Sequence, residues 1–527
     1  MTAAVRSSTA GSAAPSADAE TRRSARSGFA GLIGAATSGL FGFLLAVVIT
    51  RGYGTAGSGA IFAAIGVVTV ATAVCTLGAE TGLMWALPRR RTGPRGDAAR
   101  LLPVGLLPPL VVAVVVAVTG VLAADALAPR VLGGAAGAAL LVTSFAAVPV
   151  VVLMTLLLAA LRCVRPIRAY LSVQFFLLPV ARPALVGAAV LVGGGLVAGM
   201  SAWLVPAGIA LLSCLALVAG PLGVGRGAAL RPERRDWSTF WGFALPRAAS
   251  AAIDAGNMWV GVLLTSVLAG AGEAGVFGAV GRYILAGQLA MQGLRVAVSP
   301  QLSRLLGAGR PDAAAAVHRQ LTAWGLVLSW PVYLLLAVFG LAFLELFGSG
   351  FTAGATAMTV LALAMLVNTG VGNVQSLLLM GGRSGLHLAA TVAGLLVTVS
   401  LGLVLIPGHG ATGAAAAWAA GIVTENLTAV TCARVVFGQP LVDAPMLRAA
   451  AATVAGVGAA ATVGVLAGGR GIPGLLVAAA VLAAGCVGLL TLPRVRHGIR
   501  VTMRQIRGRG EAAPTATGSA PPQQEGR

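Results

Sequence analysis

Charge is what this chain has least of. Charged residues make up 10% of its 527 positions and lysine does not occur, so all 36 basic residues are arginine. A soluble domain carries about 25% charged residues, so too little polar surface exists to cover a water-soluble enzyme. Aromatics amount to only 5%. The five cysteines, Cys75, Cys163, Cys214, Cys432 and Cys486, are isolated singles within apolar stretches. With no CxxC pair or metal-like cluster, they read as free buried cysteines, and nothing supports a disulfide framework. Disorder is excluded, because 57% of the residues are hydrophobic. What is abundant is Gly, at 73 residues, and long uncharged runs. That combination describes an all-α polytopic membrane protein.

Apolar runs separated by arginine-bearing loops give about fourteen transmembrane helices. Among them, 169–192 holds Arg182, 241–265 holds Arg247 and Asp254, and 275–299 holds Arg282 and Arg295. Longer runs break at Gly193-Gly194-Gly195, at Gly348 and Gly350, and at Pro407-Gly408-His409-Gly410. Arginine tests the count, since short cytoplasmic loops are enriched in it. With the N-terminus inside, 29 arginines fall in cytoplasmic segments and three, Arg51, Arg130 and Arg470, in outside loops. The remaining four lie within spans. The reading places the chain in a bacterial plasma membrane with both termini cytoplasmic.

The expected divisions are a disordered tail over 1–26, a six-helix bundle over 27–225, a linker over 226–240, a second bundle over 241–434, two further helices over 435–493 and a basic, then disordered tail over 494–527. A weak internal repeat supports two related bundles. Ala56-Gly57-Ser58-Gly59 and Gly272-Glu273-Ala274-Gly275 recur at an offset of 216 residues, and two bundles with a cavity between them is the arrangement that such repeats build.

The pI near 11.6 does not signal nucleic acid, because the arginines follow loops and not a binding face. Two G-x-G-x-x-G matches, Gly52 to Gly57 and Gly270 to Gly275, lie in hairpins between spans, without the βαβ unit a dinucleotide needs. No cofactor is expected, and no catalytic motif points to an enzyme. His318 and His497 are expected in cytoplasmic loops, His387 near a span start and His409 in an outside turn, all in solvated or interfacial roles.

Ionisable groups inside a bilayer are costly and face a cavity or a partner. Arg182, Arg247, Arg282, Asp254 and Glu425 are the deep ones, while Glu80 and Arg295 sit near cytoplasmic ends. Deep arginines outnumber deep acids along the middle spans, which suits an anionic substrate, because guanidinium forks bind phosphate oxygens bidentately. Glu425 and Asn426, with Thr424 and Thr428, form a polar patch suited to interhelical hydrogen bonds or to a coupling cation.

Several stretches resemble a known family. Gly28 to Arg51, Gly54, Gly59, Leu77-Gly78 and Leu83 to Pro88 are similar to the opening spans of the polysaccharide transporters, the lipid-linked oligosaccharide flippases of the multidrug/oligosaccharidyl-lipid/polysaccharide (MOP) exporter superfamily. Phe243 to Pro246, Asp254, Gly275-Val276-Phe277 and Arg282 resemble their seventh and eighth spans, and Ser299 to Ser303 the close of the eighth. Leu346-Phe347-Gly348, Gly350-Phe351 and Gly354, then Gly381 to Arg383 and Ile406 to Ala415, resemble later loops. The likeness covers about residues 28–440.

The resemblance implies two pseudo-symmetric bundles in an alternating-access, MATE-like carrier that moves polyprenyl-pyrophosphate-linked oligosaccharide to the outer leaflet. Arg282 would hold the pyrophosphate, with Arg51, Arg182 and Arg247 as further candidates. Asp254, Glu425 and Glu80 would serve conformational or ion coupling. Membrane lipids and glycan-assembly enzymes are the expected partners. The sodium-site acids of some relatives are not matched. A multidrug cation antiporter of the same superfamily is the alternative, followed by a polysaccharide ligase or polymerase and by a scaffold.

Overall fold

The computed structural model describes residues 17–90, 98–132, 137–224, 231–288, 291, 305–306, 308–372, 374–380, 382–438 and 443–491. Every element among them is helical. Nine of the helices are long and apolar enough to cross a membrane, so this is a multi-pass membrane protein. Two of the nine, beginning at Ala36 and Ser384, run for 40 and 53 residues, and each is bent inside.

Helix α1 (Ala17–Cys75) bends at Gly54, where φ is 65° and ψ is −168°. Only glycine enters that region without strain, so Gly54 lets the chain reverse and return as α1b, residues 55–75. Helix α1 starts at Ala17, inside the stretch expected as an irregular tail, because the Ala, Glu and Arg residues there are helix formers. After a break at Leu77-Gly78, α2 (Ala79–Arg90) continues in the direction of the arginine-rich loop.

The first half continues through α3 (Leu101–Leu122), α4 (Ala124–Val131), α5 (Gly137–Val164), α6 (Ile167–Leu171), one π-helical stretch (Ser172–Leu177), α7 (Leu178–Leu191) and α8 (Leu196–Leu222). Their outward faces carry exposed aliphatics such as Val111, Val115 and Val118 of α3, as lipid contact requires. Inward faces use small residues, which allow close helix packing in the absence of a hydrophobic drive.

The second half runs through α9 (Arg234–Ala269), α10 (Ala271–Gly287), α11 (Pro311–Val338), α12 (Gly340–Glu345), α13 (Ala355–Gly370), α14 (Val374–Met380) and α15 (Ser384–Phe437). Helix α9 begins within the expected 226–240 linker, because Glu233 and Asp236 form a capping box at its start. Helix α15 reverses at Gly410, with φ 51° and ψ −130°, where the Pro-Gly-His-Gly break was expected. Helix α16 (Ala444–Gly468) follows. The chain divides into one compact unit through Ala455 and a second from Gly456. Within the second, α17 (Ile472–Thr491) follows a tight glycine turn in which a Cβ on Gly474 would strike the Gly469 carbonyl.

The 216-residue repeat is visible in the backbone. Gly270, the counterpart of Gly54, also has a positive φ, at 90°. Gly59 and Gly275 occupy matching places one turn into the helices that follow.

Candidate functional site

The two halves meet along α1b and α2 on one side and α9 and α10 on the other. At the end bearing Arg51, α1b crosses α10 through glycine. A Cβ on Gly59 would collide with the carbonyl of Ala271, and one on Gly275 with the carbonyl of Thr55. Nothing larger than hydrogen fits, so the backbones touch. At the opposite, arginine-rich end, α2 and the residues preceding it cross α9. Here a Cβ on Gly78 would strike the Ala244 carbonyl, and Gly82 lies against the Phe240 ring.

Between the two crossings lies a small cavity of about 30 Å³ around Arg282. Phe62 of α1b, Trp259 and Val262 of α9, Phe277, Gly278, Gly281 and Leu285 of α10, and Trp418 of α15 complete its lining. The Arg282 guanidinium carbon sits 5.2 Å from the centre of the Phe62 ring and 5.4 Å from that of Trp259. Each ring face offers a cation–π contact, so the charge is held by one aromatic from each half. Gly278 makes room for Phe62, since a Cβ there would stand 2.6 Å from the ring. Phe277 and Trp418 meet edge to face at 5.9 Å and close the wall.

The polar side-chain groups of this lining are the Arg282 guanidinium and the indole N–H groups of Trp259 and Trp418. All are hydrogen-bond donors, and none can accept. Among the described residues, the lining holds no carboxylate, amide or hydroxyl side chain.

Other candidates lie elsewhere. Arg51 donates from Nε to the carbonyl of Leu346 at 2.8 Å and from a terminal nitrogen to that of Glu345 at 2.9 Å. It thus caps the C-terminal end of α12, where a cation meets unpaired carbonyls and the negative end of the helix dipole. Arg182 lies 4.2 Å from the Trp203 ring centre, within the first half, and its buried Nε has no hydrogen-bond partner. Arg247 is exposed and stacks 4.9 Å from the Phe243 ring, at the arginine-rich end of α9. Asp254 falls on α9, and its side chain lies outside the described residues, as do Arg295 and the stretch Ser299 to Ser303. The structure therefore brings Arg282 alone of the four arginines to the cavity.

Glu80 opens α2 and feels the charge of Arg162, which also stacks on Tyr170 at 5.5 Å. Glu425 belongs to a polar cluster among α13, α14 and the two arms of α15. Gln375 Nε2 donates to its Oε1 at 2.8 Å and Thr391 Oγ1 at 3.2 Å, while Asn426 donates to Asn368 at 3.0 Å. His318, expected in a solvated loop, is instead 1% exposed within α11, because that helix starts at Pro311 and carries it into the packed interior. His409 is exposed at the α15 bend, as expected.

Of the aromatics around Arg282, Phe277 belongs to a motif of the resemblance, whereas Phe62, Trp259 and Trp418 carry no local signal of a site. Phe62 follows the repeat glycine Gly59 by three residues, and Phe277 follows Gly275 by two, one turn before Arg282.

No family model matches the sequence, and no curated protein matches it. Solved structures do. The lipid II flippase MurJ in an inward closed conformation aligns over 86% of this chain and 96% of its own, with a TM-score of 0.68 and 12% identity. An inward-facing multidrug resistance MATE family transporter of the MOP superfamily aligns over 75% and 94%, with a TM-score of 0.64 and 16% identity. A MOP superfamily transporter from Pyrococcus furiosus, described as having a binding pocket of reversed polarity, aligns over 79% and 95%, with a TM-score of 0.56 and 15% identity. The fold is that of the MOP superfamily transporters.

Proposed function

We propose that this chain, with its MOP transporter fold, is a flippase for a lipid bearing an anionic phosphoryl headgroup, and that its substrate is polyprenyl-pyrophosphate-linked oligosaccharide. The supporting observation is the donor-only lining of the cavity. A pyrophosphate presents acceptor oxygens and negative charge, which a guanidinium fork and two indole N–H groups complement. In a low-dielectric cavity that complementarity is strong, because few waters compete. Trp259 and Trp418 would offer flat apolar faces to sugar rings, and the prenyl tail would remain in lipid beside the bundles.

The charge pattern of the loops supports a cytoplasmic position for the arginine-rich end. Structural similarity to a lipid II flippase is consistent with a lipid-linked substrate. Similarity to a multidrug transporter keeps a cation antiporter as the competing reading. That reading calls for acidic groups facing the substrate, and the described residues that line the Arg282 cavity include none.

The test is genetic and direct. In the native host, Arg282→Ala should abolish surface glycan while the protein stays in the membrane at its normal level. Normal surface glycan in that variant contradicts the proposal.

A further inference from the structure

The arginine-rich crossing adds stacked rings and ion pairs to its glycine contacts at Gly78 and Gly82. Trp85 of α2 and Phe243 of α9 stack face to face, with ring centres 4.5 Å apart and planes inclined by 13°. Each ring is backed by an arginine one turn along its own helix, Arg89 at 4.7 Å from Trp85 and Arg247 at 4.9 Å from Phe243. Beside this stack, Arg90 donates to Asp236 at 2.6 Å, and Arg100 donates to Glu233 at 2.5 Å. Both acids belong to the capping box that opens α9. Two basic side chains of the first half therefore hold the first turn of the second half's leading helix.

We infer that the α2–α9 crossing is a latched gate to the Arg282 cavity, with the Arg90–Asp236 ion pair as its catch and the Trp85–Phe243 stack as its seal. The inference rests on the cavity being a transport site, whatever its cargo. Phe243 lies sixteen residues before Trp259 on α9, about 24 Å along the axis at 1.5 Å per residue. The gate thus lies most of the thickness of a hydrocarbon core (about 30 Å) from the cavity along α9, at the mouth toward the arginine-rich loops.

Parting α2 from α9 breaks the close backbone contact of Gly78 with Ala244, as parting Gly59 from Gly275 would at the other end. What this crossing has in addition is a set of ion pairs that can be made and broken as it moves. Parting α2 from α9 transfers to water ion-pairing groups that are already partly hydrated, since the Arg90 side chain is 40% exposed. Partial hydration weakens an ion pair, so this half-exposed catch can release. Asp236, only 3% exposed, is the buried half and keeps its capping bond to the Glu233 N–H in the absence of Arg90.

The test reads access to the cavity and not transport. With the five cysteines replaced, Leu285→Cys places one thiol in the lining, and a membrane-impermeant maleimide is applied from the arginine-rich side of inverted vesicles. Arg90→Gln and Asp236→Asn each remove the ion pair, and Asn retains an oxygen for the cap. Each should speed labelling at least about threefold, the scale set by one exposed ion pair, and the double variant should be no faster than either single one. Phe243→Leu, which spares both ion pairs, should also speed labelling. Unchanged rates in Arg90→Gln and Asp236→Asn overturn the latch, as do fully additive effects in the double variant. A failure of the anionic-lipid reading leaves these rates untouched, so the two claims fail separately.

Discussion

Gly59 and Gly275 stand 216 positions apart in the sequence and back to back in the structure. Each occupies the same place in its repeat, and each excludes a Cβ because the other's helix is there. The contact lies where two copies of one unit cross, as a pseudo-two-fold relation between repeats requires. Replacing Gly59 or Gly275 with Leu should therefore part α1b from α10. Overpacking of this kind costs about 1–3 kcal/mol. A lower melting temperature in detergent, together with faster cross-linker access between the two helices, would confirm it. A Leu variant as stable as the parent would show that the crossing tolerates separation.

Arg51 should behave as a structural clamp. Its two bonds to the Glu345 and Leu346 carbonyls are charge-assisted, and losing them should cost about 1–3 kcal/mol. Arg51→Ala should lower thermal stability while leaving headgroup binding unchanged. Binding lost with stability intact would instead place Arg51 on the substrate path.

Arg182 makes the opposite case. Its guanidinium is buried against Trp203 with Nε unpaired, an arrangement that is costly in an apolar surround. Arg182→Met should raise the melting temperature, because it keeps the volume and removes the unmet donor. If the same variant also transports normally, Arg182 has no part in the cycle. Stabilisation with loss of transport would identify it as a group maintained for function.

Glu425 separates structure from coupling by charge. Glu425→Gln keeps an acceptor for Gln375 and Thr391, so the fold should hold within about 1 kcal/mol, whereas Glu425→Ala leaves those donors unmet and should cost about 1–3 kcal/mol. Transport that survives the Gln change would assign Glu425 to interhelical bonding. Transport lost in a stable Gln protein would assign its charge to ion coupling.

Much of the architecture was legible because it depends on single residues with strong local consequences. The glycine hairpin around Gly54 and the Pro407 to Gly410 break predicted the turns, and the 216-residue offset pointed to two related bundles, though not to the glycine crossing between them. What the sequence concealed was facing. In helices apolar on every side, periodicity does not tell lipid from interior, so Phe62, Trp259 and Trp418 looked like ordinary packing. Depth also misled for charge. Arg182, Arg247 and Arg282 all lie within apolar runs, yet only Arg282 reaches the cavity, while Arg247 is exposed beside Phe243. His318 was misplaced because α11 begins earlier than the uncharged run does. The ion pairs of the α2–α9 crossing join residues well over a hundred positions apart, and no local pattern announces them.

The central claim is that Arg282 and the indoles around it receive an anionic headgroup. Tryptophan fluorescence of the purified protein, titrated with a long-chain polyprenyl pyrophosphate in detergent, tests it most directly. The parent protein should show saturable binding that inorganic pyrophosphate weakens, and Arg282→Gln should bind at least about tenfold more weakly, the loss expected of a charge-assisted hydrogen bond. Arg247→Gln should bind as the parent does. Equal affinity in Arg282→Gln, or a cationic dye binding more tightly than the pyrophosphate, would contradict the account.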